Sequence, residues 1–168
     1  MHALLLALVL AAPVHDRGAS YGSDRGGGYG LGIILGEPTG ISLKRYLPGG
    51  GWDAYIGFAY GPGFRFGADW LWTLGNVARN QDLTVNGYVG LGPFLGTFSG
   101  PCGGGFINNS CNGDFYFGAR VPFGIEALFR RAPVSLGLEL APAIGIAPSP
   151  PARAGLLLDV VLAIRYLF

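Results

Sequence analysis

The sequence predicts an all-β fold, specifically an eight-stranded antiparallel up-and-down transmembrane β-barrel, and three observations point to it. The first is the alternation in residues 155–168, GLLLDVVLAIRYLF. Every second residue from Leu156 to Phe168 is apolar, while the other phase holds Asp159 and Arg165. A period of two means a strand with two unlike faces. One face is greasy over about the length that crosses a bilayer as a tilted strand. The second observation is composition. Half of the 168 residues are hydrophobic and only 12% are charged, against about a quarter in ordinary soluble domains. No apolar run reaches the length of a membrane helix. The third is repetition: alternating segments recur along the chain, separated by clusters rich in glycine and proline, and there are 31 glycines in all. Apolarity spread over many short segments suits a barrel.

Residues 1–20 read as a signal peptide and lead-in. Residues 3–12 form an uninterrupted apolar run of h-region length, followed by Pro13. Val9 and Ala11 suit cleavage after Ala11. The n-region is only Met1 and His2, without Lys or Arg, so a start-site error or a short buried element is the alternative reading. Residues 21–28 continue as a flexible glycine-rich segment, and residues 29–168 form the barrel.

Eight strands follow in order. Residues 29–35 put Leu31, Ile33 and Leu35 on one face, and a turn at 36–40 (GEPTG) ends them. Residues 41–47 set Ile41 and Leu43 against Ser42, Lys44 and Tyr46. After the turn at 48–51, residues 52–60 oppose Trp52, Ala54, Ile56 and Phe58 to Asp53 and Tyr55. Residues 64–74 oppose Phe64, Phe66, Ala68, Trp70 and Trp72 to Arg65 and Asp69. Residues 75–82 are polar and read as a turn. Residues 83–95 oppose Leu83, Val85, Val89, Leu91 and Leu95 to Thr84, Asn86, Tyr88 and Phe94. Residues 115–129 set Phe115, Phe117, Val121, Phe123 and Ile125 against Tyr116, Arg120 and Glu126. Residues 134–146 set Leu136, Leu138 and Leu140 against Ser135 and Glu139, and 155–168 completes the count. Pro93, Pro122 and Pro142 fall inside these segments. Proline removes a ladder bond, so bulges or bends are expected there.

An even strand number places both ends of the barrel on one side. The connections at 36–39, 61–63, 96–114 and 147–153 then lie on the other, outer side, and the longest of them is 96–114. That connection holds the two cysteines, Cys102 and Cys111. In an exported chain a disulfide closing this loop is the simple reading; a metal or redox pair is the alternative.

The inward phase collects Lys44, Arg65, Arg120 and Arg165 with Asp53, Asp69, Glu126, Glu139 and Asp159. An eight-stranded barrel is just wide enough for its side chains to fill it. Buried charges must pair there, so the expectation is a lumen plugged by salt bridges and tyrosines. The competing reading is a proton or ion path, or a catalytic carboxylate pair.

Other chemistry is poorly supplied. Histidine occurs only at His2 and His15, which leaves none in the barrel for a Ser/His triad or a histidine metal site. Net charge is +1, with no basic stripe for nucleic acid. No cofactor is expected.

Residues 29–168 resemble the small outer-membrane barrels of the OmpA, OmpX and OmpW type. The stretch Gly32-Ile33-Ile34-Leu35-Gly36-Glu37-Pro38-Thr39-Gly40, followed by Ser42 and Lys44, resembles a group of small bacterial barrels of largely uncharacterised function. The resemblance implies residence in the outer membrane, contact with its lipid, and an assembly signal at Tyr166 and Phe168 read by the barrel-assembly machinery. It implies a non-enzymatic role, structural or through a surface partner at the 96–114 loop. Lipid A deacylases, acyltransferases and phospholipases among such barrels mostly use histidine, which this chain lacks in the barrel. Two alternatives stand beside this reading: a passive conduit for small or hydrophobic molecules, and a secreted lipocalin-like barrel with its apolar phase turned inward around a ligand.

Overall fold

The computed structural model describes residues 28–59, 63–97, 115–148 and 153–168. The signal-peptide region, Cys102, Cys111 and most of the 96–114 connection lie outside the described residues.

Nine strand segments are assigned: β1 (Tyr29–Gly36), β2 (Thr39–Leu47), β3 (Gly50–Ala59), β4 (Gly63–Arg79), β5 (Leu83–Thr97), β6 (Phe115–Arg120), β7 (Phe123–Phe129), β8 (Val134–Ala147) and β9 (Arg153–Leu167). All pairings are antiparallel. β6 and β7 are two halves of one strand. Gly92 lies opposite Arg120 and Val89 opposite Phe123, in one unbroken register, and β8 pairs with both halves likewise. The sheet therefore has eight positions. β1 pairs with β9 and β4 with β5, so the sheet closes into a ring in which each strand's neighbours are its neighbours in sequence.

The ring is inverted relative to a water-soluble core. Its outer phase is apolar and exposed, including Leu31, Ile33, Ile56, Phe66, Trp70, Ile125, Leu138 and Ile164. Its inner phase is buried and largely polar. Period-two alternation puts every second side chain on each surface, and the two phases divide as the sequence pattern predicts.

The three prolines behave differently from the expected bulges. None shifts the register. Pro122, with Val121, interrupts one strand into β6 and β7. Pro142 stays within β8, opposite Leu158. Both proline carbonyls still accept across the sheet: Val121 N donates to Pro142 O (3.0 Å) and Gly90 N to Pro122 O (2.7 Å). Pro93 stays within β5. The β4–β5 ladder lacks pairs between Gly67↔Phe94 and Trp70↔Leu91, where Pro93 faces Ala68.

Register shifts occur instead in β4, between Thr73 and Gly75 and between Asn76 and Ala78. Residues 75–79, expected to be a turn, continue β4 into a hairpin that runs past its β3 neighbour. The turn itself is 80–82, where Asn80 Oδ1 accepts from Asp82 N (2.9 Å) and Leu83 N (2.7 Å). A bulge inserts an extra residue and scrambles the period of two, which is why this arm reads as loop from sequence.

Candidate functional site: the charged interior of the ring

Nine inward charges are buried: Lys44, Asp53, Arg65, Asp69, Arg120, Glu126, Glu139, Asp159 and Arg165. Each sits in the inner phase of its strand, and they meet across the lumen in two tiers. The tier nearer the end bearing Tyr29 and Phe168 centres on Arg165 of β9. Its guanidinium contacts Asp53 of β3 through Nη2, Glu126 of β7 through Nη1 (3.4 Å), and Ser42 of β2 through Nε (2.8 Å). Ser42 Oγ donates in turn to Asp53 (2.8 Å). Glu126 also accepts from Lys44 Nζ (2.6 Å) and Tyr46 Oη (2.7 Å). Tyr46 Oη lies 3.3 Å from Ser135 Oγ.

The second tier centres on Arg120 of β6. It binds Asp69 of β4 (2.5 Å), Glu139 of β8 (2.9 Å) and Asp159 of β9 (3.2 Å). Arg65 of β4 reaches the other oxygen of Asp159 (2.9 Å). Tyr88 joins the tiers. Its hydroxyl donates to Glu139 (2.9 Å), and the Lys44 ammonium lies 4.5 Å from its ring centroid. Four cations thus face five carboxylates, and every carboxylate has a cationic partner. A buried charge left unpaired costs several kcal/mol, so this near-balance is the condition for filling the lumen with charge.

Above these tiers the lumen is apolar. Phe94, Tyr116, Ala143, Ala147 and Leu157 cluster there, while a second cluster of Ile34, Tyr55, Val161 and Ala163 lies at the level of the tiers, where Arg120 sits 4.4 Å from the Tyr55 ring centroid. Arg65 is where the two characters meet. It is 0% exposed, gives one nitrogen to Asp159, and packs its Cζ 4.0 Å from the Phe94 ring centroid. Its Nε and Nη2 have no hydrogen-bond partner among the described residues, so a cation–π contact takes up part of that face.

Glycines make room for the inner aromatics. Tyr55 lies across from Gly67, Tyr88 from Gly124, Phe94 from Gly118 and Tyr116 from Gly96. A Cβ on Gly96 would come 2.6 Å from Tyr116 Cζ. Large rings crossing over glycines fill a narrow lumen without widening it.

The turn after β1 also enters the interior. Pro38 is fully buried and, with Ile34, Ser42, Asp53, Tyr55, Tyr88 and Arg120 among others, bounds a cavity of about 10 Å³. That is the space of about one water. Among the described residues no group of His, Cys, Asp or Glu is arranged to hold a metal ion.

Tyr166 and Phe168 lie outside this network, on the outer face. The inward phase reveals which residues face inward but not who meets whom. Ser42 and Ser135 had no charge or ring to single them out, although their inward positions follow from the same alternation; Pro38 lies in the turn between β1 and β2, where no alternation places it.

Comparison with protein-family models, curated proteins and solved structures finds no match for this chain.

Proposed function

We propose that this chain is an integral outer-membrane β-barrel protein without enzymatic activity, one that anchors or presents a surface through its 96–114 connection. The observation that carries the reading is the inverted burial: an apolar, exposed outer face around a charged, buried interior. In water such an outer face would be a very large exposed apolar patch; in a bilayer it is the lipid-facing surface. The band fits a membrane in height. On β9 the outer phase from Leu156 to Tyr166 spans about 33 Å along the strand, which a tilt of roughly 40° projects to about 25 Å. Aromatic residues collect at both rims, with Tyr29, Trp52, Trp70, Trp72 and Phe168 at one and Phe58, Phe64 and Phe115 at the other. The resemblance to the small outer-membrane barrels agrees with this and makes Tyr166 and Phe168 the signal for the assembly machinery. Cys102 and Cys111 then close the tip of an outer loop as a disulfide.

The conduit reading needs an open lumen, and the 10 Å³ cavity disfavours it. The lipocalin-like reading needs the apolar phase inside, opposite to the burial observed.

The test is fractionation after expression in a Gram-negative host, with gel migration before and after boiling. An outer-membrane protein whose band shifts on boiling supports the proposal. A soluble periplasmic protein would overturn it.

A further inference from the structure

The outer face carries a groove where the sheet's side chains become small. Its lining runs over four strands in two outward rows. One row is bulky: Ile41, Ile56, Phe66 and Leu95, in register across β2 to β5. The next row falls to Leu43, Ala54, Ala68 and Pro93, and beyond it stand Trp52 and Trp70. Two alanines between rows of large side chains leave a trough of about 600 Å³, within the roughly 300–1,000 Å³ of small-molecule sites. The inward-phase residues Tyr55, Gly67 and Phe94 also line it, beside the stretch where the β4–β5 ladder lacks pairs.

A cation stands in the row that bounds this trough, one step beyond Leu43 on β2. Arg45 follows Leu43 on the same face of β2 and lies opposite Trp52. Among the described residues it is the only charged side chain on the outer face of the ring's strands below the protruding hairpin. It forms no ion pair with any described carboxylate, and its guanidinium lies 5.2 Å from the Tyr29 ring centroid, within the aromatic rim. A lone arginine in a lipid-facing surface calls for a phosphate, which its planar fork matches. The adjoining apolar trough calls for a chain.

We propose that Arg45 and the trough over Ala54 and Ala68 form a binding site for one phospholipid, its phosphate on Arg45 and one acyl chain along the trough. The site rests on the membrane reading above. Arg45 lies at the end of the ring that holds both β1's start and β9's finish, which that reading turns to the periplasm. The lipid would therefore come from the phospholipid leaflet.

The test is native mass spectrometry of the detergent-purified protein with added phosphatidylglycerol, using diacylglycerol as the phosphate-free probe. One retained phosphatidylglycerol is expected, with diacylglycerol bound more weakly. Arg45→Gln should weaken retention about tenfold, the factor for ~1.4 kcal/mol, and Arg45→Lys should restore part of it. Ala68→Leu, which fills the trough from outside and leaves the lumen untouched, should weaken both lipids. A boil-shifting membrane protein that retains neither lipid, or retains phosphatidylglycerol equally in all variants, overturns the site alone. A soluble protein overturns the site together with the membrane reading.

Discussion

Phe168 and Tyr29 close the ring. The two residues exchange backbone hydrogen bonds, Tyr29 N to Phe168 O at 3.2 Å and Phe168 N to Tyr29 O at 2.9 Å, and their rings stack at 6.2 Å between centroids. Tyr29 also meets Trp52 edge-on at 6.5 Å. The seam between first and last strands is thus fastened at the rim as well as along the ladder.

Phe168→Ala removes the stack and leaves the backbone bonds. An aromatic pair contributes ~1 kcal/mol beyond its buried area. Since Phe168 remains half exposed, its folded stability should fall only slightly. The yield of boil-shifting protein in the membrane should fall much more, if this residue is also the assembly signal. Phe168→Tyr should retain both. The measurement is the folded fraction by gel shift, set beside the urea midpoint of the protein that does fold. Equal loss in both quantities would leave the residue a packing role only.

Arg120 holds three carboxylates from three strands, so its removal is the most damaging single change in the lumen. Arg120→Met leaves Asp69, Glu139 and Asp159 facing one another with only Arg65 nearby. Breaking a buried pair costs roughly 3–5 kcal/mol, and the expected loss is at least that large. Adding Asp69→Asn and Glu139→Gln should recover part of it. The exposed Arg131–Asp82 bridge at the turn is the control, and Arg131→Ala should change little. Urea midpoints of the four proteins decide the matter; a small effect for Arg120→Met would mean the carboxylates are not held by it.

How much of this was legible in the sequence depends on the kind of information. Strand number and the division into faces could be read because a period of two states them directly: Leu156 and Asp159 are placed by counting. The partners of Arg120 could not be read, since Asp69 and Asp159 reach it only through the tilt and stagger of a closed sheet, which no local pattern encodes. The arm at 75–79 was hidden by two bulges. Pro93 and Pro142 looked like defects, but neither shifts the register, and Pro142 still accepts a bond from Val121 through its carbonyl. Arg45 was visible as an outward residue, yet the trough beside it depends on alanines from two strands lining up across register.

Gly96 and Tyr116 test the packing of glycine beneath aromatic rings. Tyr116 is 1% exposed and lies directly across from Gly96. Gly96→Ala forces the ring aside, with an expected cost of about 1–3 kcal/mol as in other overpacked cores. In a Tyr116→Ala background the same substitution should cost far less. A coupling energy of roughly 1 kcal/mol or more in this double-mutant cycle would establish the contact; additive effects would assign the cost to the backbone instead.

The filled lumen makes a final prediction about transport. Two tiers of ion pairs, the Phe94–Tyr116 cluster and the buried Pro38 leave a cavity of about 10 Å³ at the level of Arg120, too small for a hydrated ion. Purified protein in planar bilayers should therefore show no steady current at moderate voltage. Opening the plug should change that. Arg165→Ala combined with Glu126→Ala removes one cation and one anion together, leaving Lys44 beside Asp53 and limiting the uncompensated charge. Brief, voltage-dependent openings are expected from this variant if it still shifts on boiling. Steady ohmic conductance from the unaltered protein would show that the tiers part in the membrane, and the conduit would then replace the plugged barrel as the better account of what this ring does.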